Sequence, residues 1–362
     1  MFKIFYIFSQ SLFLAVALIL CLATVRQVEA REVSDSVRMP QKRGVVLYPS
    51  DLISVGESEW VSRLRDAGIN LLGIHADTVF EPLSQLEKYV KSPQGSNLLR
   101  LCAENGIEVE YELHVLQSLL PRDLFETHPE YFRMDTEGKR SQKYNICFTS
   151  EGAYRVIERE LKKVTEWLKP TTGRYFFWTD DVTDGFCHCP ECEEYSASEQ
   201  SLIYENRLLK MLRDQFGSKV TLAHLAYNQT LPPPIKVKPI EGIFLEYAPI
   251  GRDYSKPLSE KHQASLEENL KIFPACSAHV LEYWLDVSMF SGWKIQQLQP
   301  LPWDEANCRR DILFYEGKGI DSITTFAAWI NQDFLKKYGR EETWKILSEY
   351  GSIFEGKTDL PE

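Results

Sequence analysis

The sequence lacks an excess of basic residues: 41 Lys and Arg stand against 52 Asp and Glu among 362 residues, a formal net charge of −11. A surface of this sign repels polyanions, so the composition argues against nucleic acid as a partner. The sequence also lacks low-complexity tracts, internal repeats and any long linker beyond residues 31–41. A repeat array and a disordered scaffold are therefore excluded, and a large globular unit is expected.

Two kinds of chemical motif are missing as well. No G-x-G-x-x-G turn follows the first two predicted strands, which argues against a doubly wound dinucleotide-binding sheet, and we expect no organic cofactor. Neither an H-x-H pair nor an H-E-x-x-H motif occurs, so a metal-dependent hydrolase of another class is the weaker alternative. The sequence gives no indication of the oligomeric state.

The first thirty residues are typical of a signal peptide. Lys3 precedes an apolar run over residues 12–23, and Val28 and Ala30 provide small residues at the −3 and −1 positions of a cleavage site. Cleavage predicts a secreted or periplasmic protein with no membrane span in the mature chain, followed by a linker over 31–42. An uncleaved membrane anchor is the alternative interpretation.

The rest of the chain alternates strand-like and helix-like segments eight times, each strand being followed by helix-compatible sequence. Eight such units are the number that a closed (β/α)8 TIM barrel requires, and we predict this α/β fold over residues 43–355. The predicted strands are 43–48, 70–75, 108–114, 175–180, 220–227, 243–248, 279–284 and 322–329.

Acidic and aromatic residues end the predicted strands, and no Lys or Arg does. Active sites of this fold lie at the C-terminal ends of the strands, where a glycosidase needs two carboxyl groups, one as proton donor and one ionised. Asp181 or Asp180 with Glu282 is the predicted catalytic pair, and Glu246 is the reserve. Capping of a loop, or a salt bridge in the barrel wall, is the structural alternative for each acid.

Aromatic residues make up 12% of the chain and include eight Trp, and aromatic faces bind the C–H faces of sugar rings. A glycoside hydrolase acting on an oligo- or polysaccharide is therefore the primary hypothesis, and a non-catalytic carbohydrate-binding barrel is the alternative. Each aromatic residue could equally belong to the core. The candidate substrate-binding residues are His75, His114, Trp178, Tyr227, Tyr247, Tyr283, Trp284 and Trp329.

A cysteine-rich loop follows the strand-4 acids directly. Cys187, Cys189 and Cys192 form a C-x-C-x-x-C pattern, and Cys147 in the preceding loop is the natural fourth ligand of a tetrahedral zinc ion, with His188 as a local substitute. A disulfide among these cysteines is the main alternative, and free thiols are the third. Seven cysteines remain after cleavage, an odd number that argues against a complete disulfide framework.

These motifs resemble a known family. The run from His128 to Phe132, the segment 145–150 and the acids before the cysteine loop resemble domain of unknown function 4838, which implies an exported glycoside-hydrolase-like barrel. The arrangement is also similar, more distantly, to family 42 β-galactosidases. That similarity implies Asp181 or Asp180 as acid/base, Glu282 as nucleophile and the four cysteines as zinc ligands, although this chain has Asp-Asp where that family has Asn-Glu.

Overall fold

The computed structural model of the protein describes residues 40–78 and 82–355. The predicted signal peptide (1–30) lies outside the described residues, as does the predicted linker up to residue 39. Eight parallel strands form one closed barrel in chain order, and the last strand pairs with the first, which confirms the (β/α)8 barrel. The strands are β1 (Lys42–Leu47), β2 (Leu71–Ile74), β3 (Glu108–His114), β4 (Arg174–Trp178), β5 (Thr221–Ala226), β6 (Ile243–Tyr247), β7 (His279–Glu282) and β8 (Ser322–Phe326).

α-Helices surround the barrel and follow every strand except β5. The connection after β5 contains the 3₁₀ turn Asn228–Thr230 and then Pro232, Pro233 and Pro234, which have no backbone N–H to donate within a helix. The helix expected after this strand is therefore absent from the described connection. The helices are α1 (Pro49–Val55), α2 (Glu57–Asp66), α3 (Pro82–Val90), α4 (Pro93–Glu104), α5 (Leu116–Leu119), α6 (Glu151–Trp167), α7 (Ala197–Phe216), α8 (Glu260–Leu270), α9 (Val287–Phe290), α10 (Glu305–Gly317), α11 (Gln332–Tyr338) and α12 (Arg340–Ile353).

Capping residues and amphipathic faces explain where the long helices form. Ser196 and Glu199 form a reciprocal capping box at the start of α7, and Ser150 caps α6 by accepting a hydrogen bond from Ala153 N. The apolar faces of these helices cover the outside of the barrel wall. Among the helices in residues 40–78 and 82–355, none is both long enough and apolar enough to cross a membrane.

Side chains on each strand alternate between the barrel interior and the surrounding helices. On β7 and just after it, Leu281 and Tyr283 line the C-terminal opening of the barrel, whereas Glu282 between them contacts Tyr315 of α10. Both sets of side chains are buried, because helices cover the outer face. The position of a residue in this alternation therefore decides whether its side chain reaches the opening.

The barrel interior contains buried charges. Arg174 on β4 donates two hydrogen bonds to Glu110 on β3, at 2.7 and 2.8 Å. Glu112, two residues further along β3, packs against Gly73 of the neighbouring strand. Only glycine leaves room for it, because a Cβ at position 73 would lie 2.5 Å from the Glu112 carboxyl oxygen. Burial, and then the charge of Glu110, raise the pKa of Glu112 well above its ordinary value, which favours the neutral form of this carboxyl group.

Candidate active site

A cleft of about 540 Å³ opens at the C-terminal end of the barrel. Catalytic residues lie at this end of (β/α)8 barrels, because the strand ends and the loops after them converge there. All eight strands or their following loops contribute to its lining. The polar and aromatic lining residues include Tyr48, His75, Asp77, His114, Trp178, Asp181, Tyr227, Tyr283, Asp286, Ser288, Trp293, Phe326 and Trp329.

Aromatic rings form the floor and one wall of this cleft. The Trp178 ring lies 5.8 Å from the ring of His75 and 4.9 Å from that of His114, and Tyr283 stacks on Phe326 at 5.4 Å. A floor of this kind offers flat apolar faces beside polar ring atoms, which suits a sugar ring. Six of the eight predicted substrate-binding residues lie in the cleft, namely His75, His114, Trp178, Tyr227, Tyr283 and Trp329.

Two aspartates, one after β4 and one after β7, face this cleft. Asp181 is exposed after β4, and its charge adds to burial in raising the pKa of Tyr227 above its ordinary value. Asp286, buried after β7, accepts hydrogen bonds from Ser288 N at 3.0 Å, Met289 N at 3.2 Å and Ser288 Oγ at 2.5 Å. Burial raises the pKa of Asp286 to about 6 against the opposing effect of these donors.

The two carboxylates act on the same neighbouring phenol. Burial first, and then the charges of neighbouring groups including Asp286 and Asp181, raise the pKa of Tyr283 well above its ordinary value. Both carboxylates therefore lie within electrostatic range of one side chain on the cleft wall. A third carboxylate, Asp77, lines the cleft after β2 and accepts hydrogen bonds from Ser50 N at 3.2 Å and Gln85 Nε2 at 3.1 Å.

Asp180, unlike Asp181, is not among the residues that line this cleft. Its carboxylate forms an ion pair with Arg122 at 2.8 Å and accepts hydrogen bonds from Gln117 N at 3.2 Å and Asn145 N at 2.5 Å. Asn145 in turn accepts a hydrogen bond from Asp180 N at 2.8 Å. Asp180 thus joins the loops after β3 and β4. For this member of the Asp-Asp pair, the structure fits the alternative role of capping a loop.

Glu282 lies outside the cleft, in the layer between the barrel wall and the helices. Its carboxyl group accepts hydrogen bonds from Tyr315 Oη at 2.5 Å and Tyr254 Oη at 3.1 Å, and lies 3.4 Å from Arg252. Burial raises its pKa to about 7, although Arg252 opposes this effect. The nucleophile role predicted for Glu282 does not fit this position, because the alternation on β7 directs Tyr283 into the cleft instead.

The remaining predicted residues also lie away from the cleft lining. Glu246 is in the barrel interior below the floor, where it accepts a hydrogen bond from Trp178 Nε1 at 2.6 Å. Tyr247 and Trp284 are on the outer face of the wall: the Tyr247 hydroxyl donates to His262 O at 2.8 Å, and Trp284 Nε1 lies 3.4 Å from Asp311 Oδ2. Glu246 therefore supports the floor, and the other two attach helices.

Removal of the Glu282 carboxyl group is expected to destabilise the fold. Glu282→Ala leaves the buried Arg252 with Asp311 as its one charged partner among residues 40–78 and 82–355. Breaking a buried ion pair costs about 3 kcal/mol in free energy of unfolding. Urea unfolding measures the loss. Glu137→Ala, which breaks an exposed pair with Lys139, is the control and should change stability by less than about 0.5 kcal/mol. Native stability combined with loss of turnover would instead restore the catalytic role of Glu282.

Sequence reasoning missed three cleft residues of chemical interest: Asp286, Trp293 and Ser288. The predicted seventh strand ended at Trp284, whereas β7 ends at Glu282, so the loop that carries Asp286 begins earlier. The signal available was Asp286 followed two residues later by Ser288, a pattern typical of a helix N-cap in the loop after a barrel strand. Trp293 lies at the end of this same loop.

Four cysteine sulfurs converge beside the loop that carries Asp181. Cys147, Cys187, Cys189 and Cys192 are buried and their Sγ atoms all lie within 4.8 Å of one another. Cys147 Sγ lies 3.6 Å from Cys189 Sγ and 3.9 Å from Cys192 Sγ, whereas the sulfurs of a disulfide are about 2 Å apart. Thiolates around a tetrahedral zinc ion are about 3.8 Å apart, so the four residues fit this metal.

Neighbouring groups hold these sulfurs in place. Met134 N donates to Cys187 Sγ at 3.3 Å, and Thr149 Oγ1 lies 3.4 Å from Cys147 Sγ. Such contacts orient metal ligands in many proteins. His188, the predicted local substitute, is outside the cluster and lies 3.7 Å from Asp184.

Residues 85–325 match the family model described as Domain of unknown function (DUF4838). The chain belongs to this family. The match covers β3 to β7, all but the last residue of β8, the cysteine cluster, Asp181 and Asp286, and it confirms the resemblance seen in the sequence. No curated protein matches the sequence.

Solved structures share the barrel of this DUF4838 protein. The β-galactosidase from the psychrophilic Marinomonas ef1 superposes with a TM-score of 0.51 and 14% identity over 86% of this chain and 59% of its own. A broad-specificity endoglucanase from an uncultured bacterium gives 0.47 and 10% over 88% of this chain and 94% of its own. A family 42 β-galactosidase from G. stearothermophilus gives 0.46 and 11% over 87% and 56%. At these identities the similarity shows the (β/α)8 barrel fold alone.

Proposed function

We propose that the protein is an exported glycoside hydrolase that cleaves an oligo- or polysaccharide with Asp181 and Asp286. The observation that carries the proposal is the presence of these two carboxylates, after β4 and β7, in one cleft with aromatic walls. Glycosidic cleavage requires one carboxyl group that protonates the leaving oxygen and one ionised carboxylate that attacks the sugar or activates water. The pair replaces the one expected from sequence, in which Glu282 provided the second carboxylate.

The surroundings of the two aspartates suggest their roles. Asp286 accepts three hydrogen bonds, which favour its ionised form near neutral pH and suit a nucleophile or general base. Asp181, exposed after β4 in the same cleft, is then left with the role of proton donor. A sugar bound on the Trp178 floor would lie between them.

The four cysteines are proposed to hold a structural zinc ion. Cys147 lies in the loop after β3 and the other three in the loop after β4, so the metal would join the two loops next to Asp181. Four thiolates fill a tetrahedral zinc site and leave no position for substrate, which makes the role structural.

A non-catalytic sugar-binding barrel is the competing function, and one observation favours it: Asp286 also caps α9, a purely structural role. A panel of oligo- and polysaccharides, scored for both binding and release of new reducing ends, separates the two. Release of reducing ends that depends on Asp181 and Asp286 supports hydrolysis. Binding without release, in every glycan that binds, contradicts it.

The pH profile of turnover should show an acidic limb at about pH 6. Because the pKa of Asp286 is raised to about 6, protonation below this pH removes the ionised carboxylate and kcat/KM falls. A series of initial rates between pH 4 and 9 measures the limb. The control is Glu316→Gln: burial raises the pKa of Glu316 to about 7 on α10, away from the cleft lining, so the limb should be unchanged.

Export is proposed from the first thirty residues. Cleavage after Ala30 would start the mature protein at Arg31. Expression in a bacterial host and mass measurement of the protein in the periplasm or medium should give this N-terminus. An intact chain retained in the membrane fraction would show the alternative, an uncleaved anchor.

A further inference from the structure

Two histidines on the cleft floor are fixed in the same tautomer by backbone carbonyl groups. Nδ1 of His75 lies 2.7 Å from Ala76 O, and Nδ1 of His114 lies 2.5 Å from Thr179 O. A carbonyl oxygen accepts and never donates, so each Nδ1 must carry the proton. Burial lowers the pKa of His75 to about 3, with a further contribution from His114, so this ring is neutral and its Nε2 is a hydrogen-bond acceptor.

The Nε2 atoms are available to a ligand. Both rings line the cleft, and within residues 40–78 and 82–355 no hydrogen bond involves Nε2 of either ring. A group that binds between them must therefore donate hydrogen bonds, as a sugar hydroxyl does. An ionised carboxylate or sulfate has no proton to donate.

The charged groups of the cleft favour the same ligand. Its lining contains three carboxyl groups, those of Asp77, Asp181 and Asp286, and none of the described lining residues is Lys or Arg. An anionic ligand would meet negative charges with no counter-ion in a partly desolvated space. The cleft thus opposes anionic sugars in two ways, by the lack of donors on its floor and by its charge.

A further aromatic ring extends this surface outwards. Trp293, in the loop that carries Asp286, lines the cleft while 63% of its surface remains exposed. It is held in a left-handed conformation (φ 55°), in which its N–H donates to Ser288 O at 2.8 Å. An apolar ring fixed at the mouth of a polar cleft provides a second stacking surface, beyond the Trp178 floor.

We infer that the cleft is selective for an uncharged glycan at least two sugars long and rejects uronate and sulfated sugars. A sugar on the floor donates hydroxyl hydrogens to Nε2 of His75 and His114, and the next sugar stacks on Trp293. The inference rests on the proposed function, whose substrate class it specifies.

The test uses a glycan array in which neutral oligosaccharides are each paired with their C6-carboxylate or O-sulfated counterparts, at pH 7.5 and 4 °C. Binding of neutral members at least tenfold more tightly than their anionic counterparts is the expected result. Equal or tighter binding of the anionic members overturns the inference and leaves a glycosidase possible. No binding and no hydrolysis of any member overturns the proposed function together with the inference.

Two variants test separately the contribution of cleft charge and that of stacking on Trp293. Asp77→Asn removes one cleft charge and should reduce the neutral-to-anionic preference several-fold, whereas Asp123→Asn, which removes the same charge from an exposed site outside the cleft, should not. Trp293→Ala should weaken binding of a disaccharide about tenfold and of the monosaccharide little. Ile235→Ala, at an exposed apolar residue elsewhere, is the control. An unchanged neutral-to-anionic binding ratio in Asp77→Asn would contradict the charge argument. An unchanged disaccharide-to-monosaccharide binding ratio in Trp293→Ala would contradict the stacking argument.

The tautomer can be measured without any ligand. ¹⁵N NMR of the imidazole groups distinguishes a protonated ring nitrogen from an unprotonated one. At pH 7.5 we expect the His75 signals to report protonated Nδ1 and unprotonated Nε2, and the His114 signals to report protonated Nδ1. Protonation of Nε2 in either ring would remove the acceptor and overturn the inference.

Discussion

Replacing Asp181 or Asp286 with asparagine is expected to lower kcat by about 10²–10⁴-fold on a responsive glycan, because each change removes a carboxyl group that gives or takes a proton or attacks the sugar. Asparagine keeps the size of the side chain, and in Asp286→Asn the amide oxygen could still accept the hydrogen bonds of Ser288 and Met289. The fold should therefore survive. Initial rates of reducing-end release, together with urea unfolding of each variant, measure the two effects separately.

The two roles can be distinguished with an activated aryl glycoside of the same sugar, whose leaving group needs no proton. Asp181→Asn should recover much of its rate on this substrate, whereas Asp286→Asn should remain inactive. Asp123→Asn, which removes an exposed carboxylate outside the cleft, is the matched control and should behave as the wild type. Full activity in both cleft variants would refute the assignment. The double variant should lose little more than the worse single variant, because the two groups act as a unit.

The positions of the strands could be predicted from sequence because apolar runs separated by helical segments repeat eight times. β3 has the predicted bounds of residues 108–114, and β6 (Ile243–Tyr247) ends one residue earlier than predicted. The exception is the missing helix after β5, where three prolines remove the backbone donors that a helix needs. Chain-wide periodicity determines the architecture, and boundary errors of one to three residues leave it unchanged.

The prediction of the candidate site, by contrast, is sensitive to boundary errors of this size. Which of Asp180 and Asp181 enters the cleft is decided by a single step along the chain, and the same holds for Glu282 and Tyr283. The runs in which they lie are apolar on both faces, so no alternation in the sequence marks the inner one. Asp286 was missed for a related reason, since its place in the cleft depends on how the loop turns after β7.

The cysteine cluster depends less on register, because four sulfurs with short spacings converge whichever way the strand faces.

Zinc analysis of the purified protein is expected to give one metal ion per chain, and Cys189→Ser should lower this content strongly because it removes one of four ligands. Cys276→Ser, at the exposed cysteine outside the cluster, is the matched control and should retain the metal. Mass spectrometry without reductant should show no disulfide among the four.

Removal of the metal should destabilise the protein and disturb the loop beside Asp181. A ligand that binds only the native state stabilises it by about 4 kcal/mol when its free concentration is a thousand times Kd, so chelation should lower the free energy of unfolding by several kcal/mol. The loop would retain contacts that involve no sulfur atom, such as Cys187 N with Gln200 Oε1 at 2.9 Å and Asn145 Nδ2 with Gly185 O at 2.9 Å. Chelation should therefore reduce turnover without unfolding the barrel, and re-addition of zinc should restore both quantities. A chelated protein with native stability would contradict the proposed structural zinc ion. The four cysteines would then be free thiols, or would bind the metal too weakly to change the free energy of unfolding.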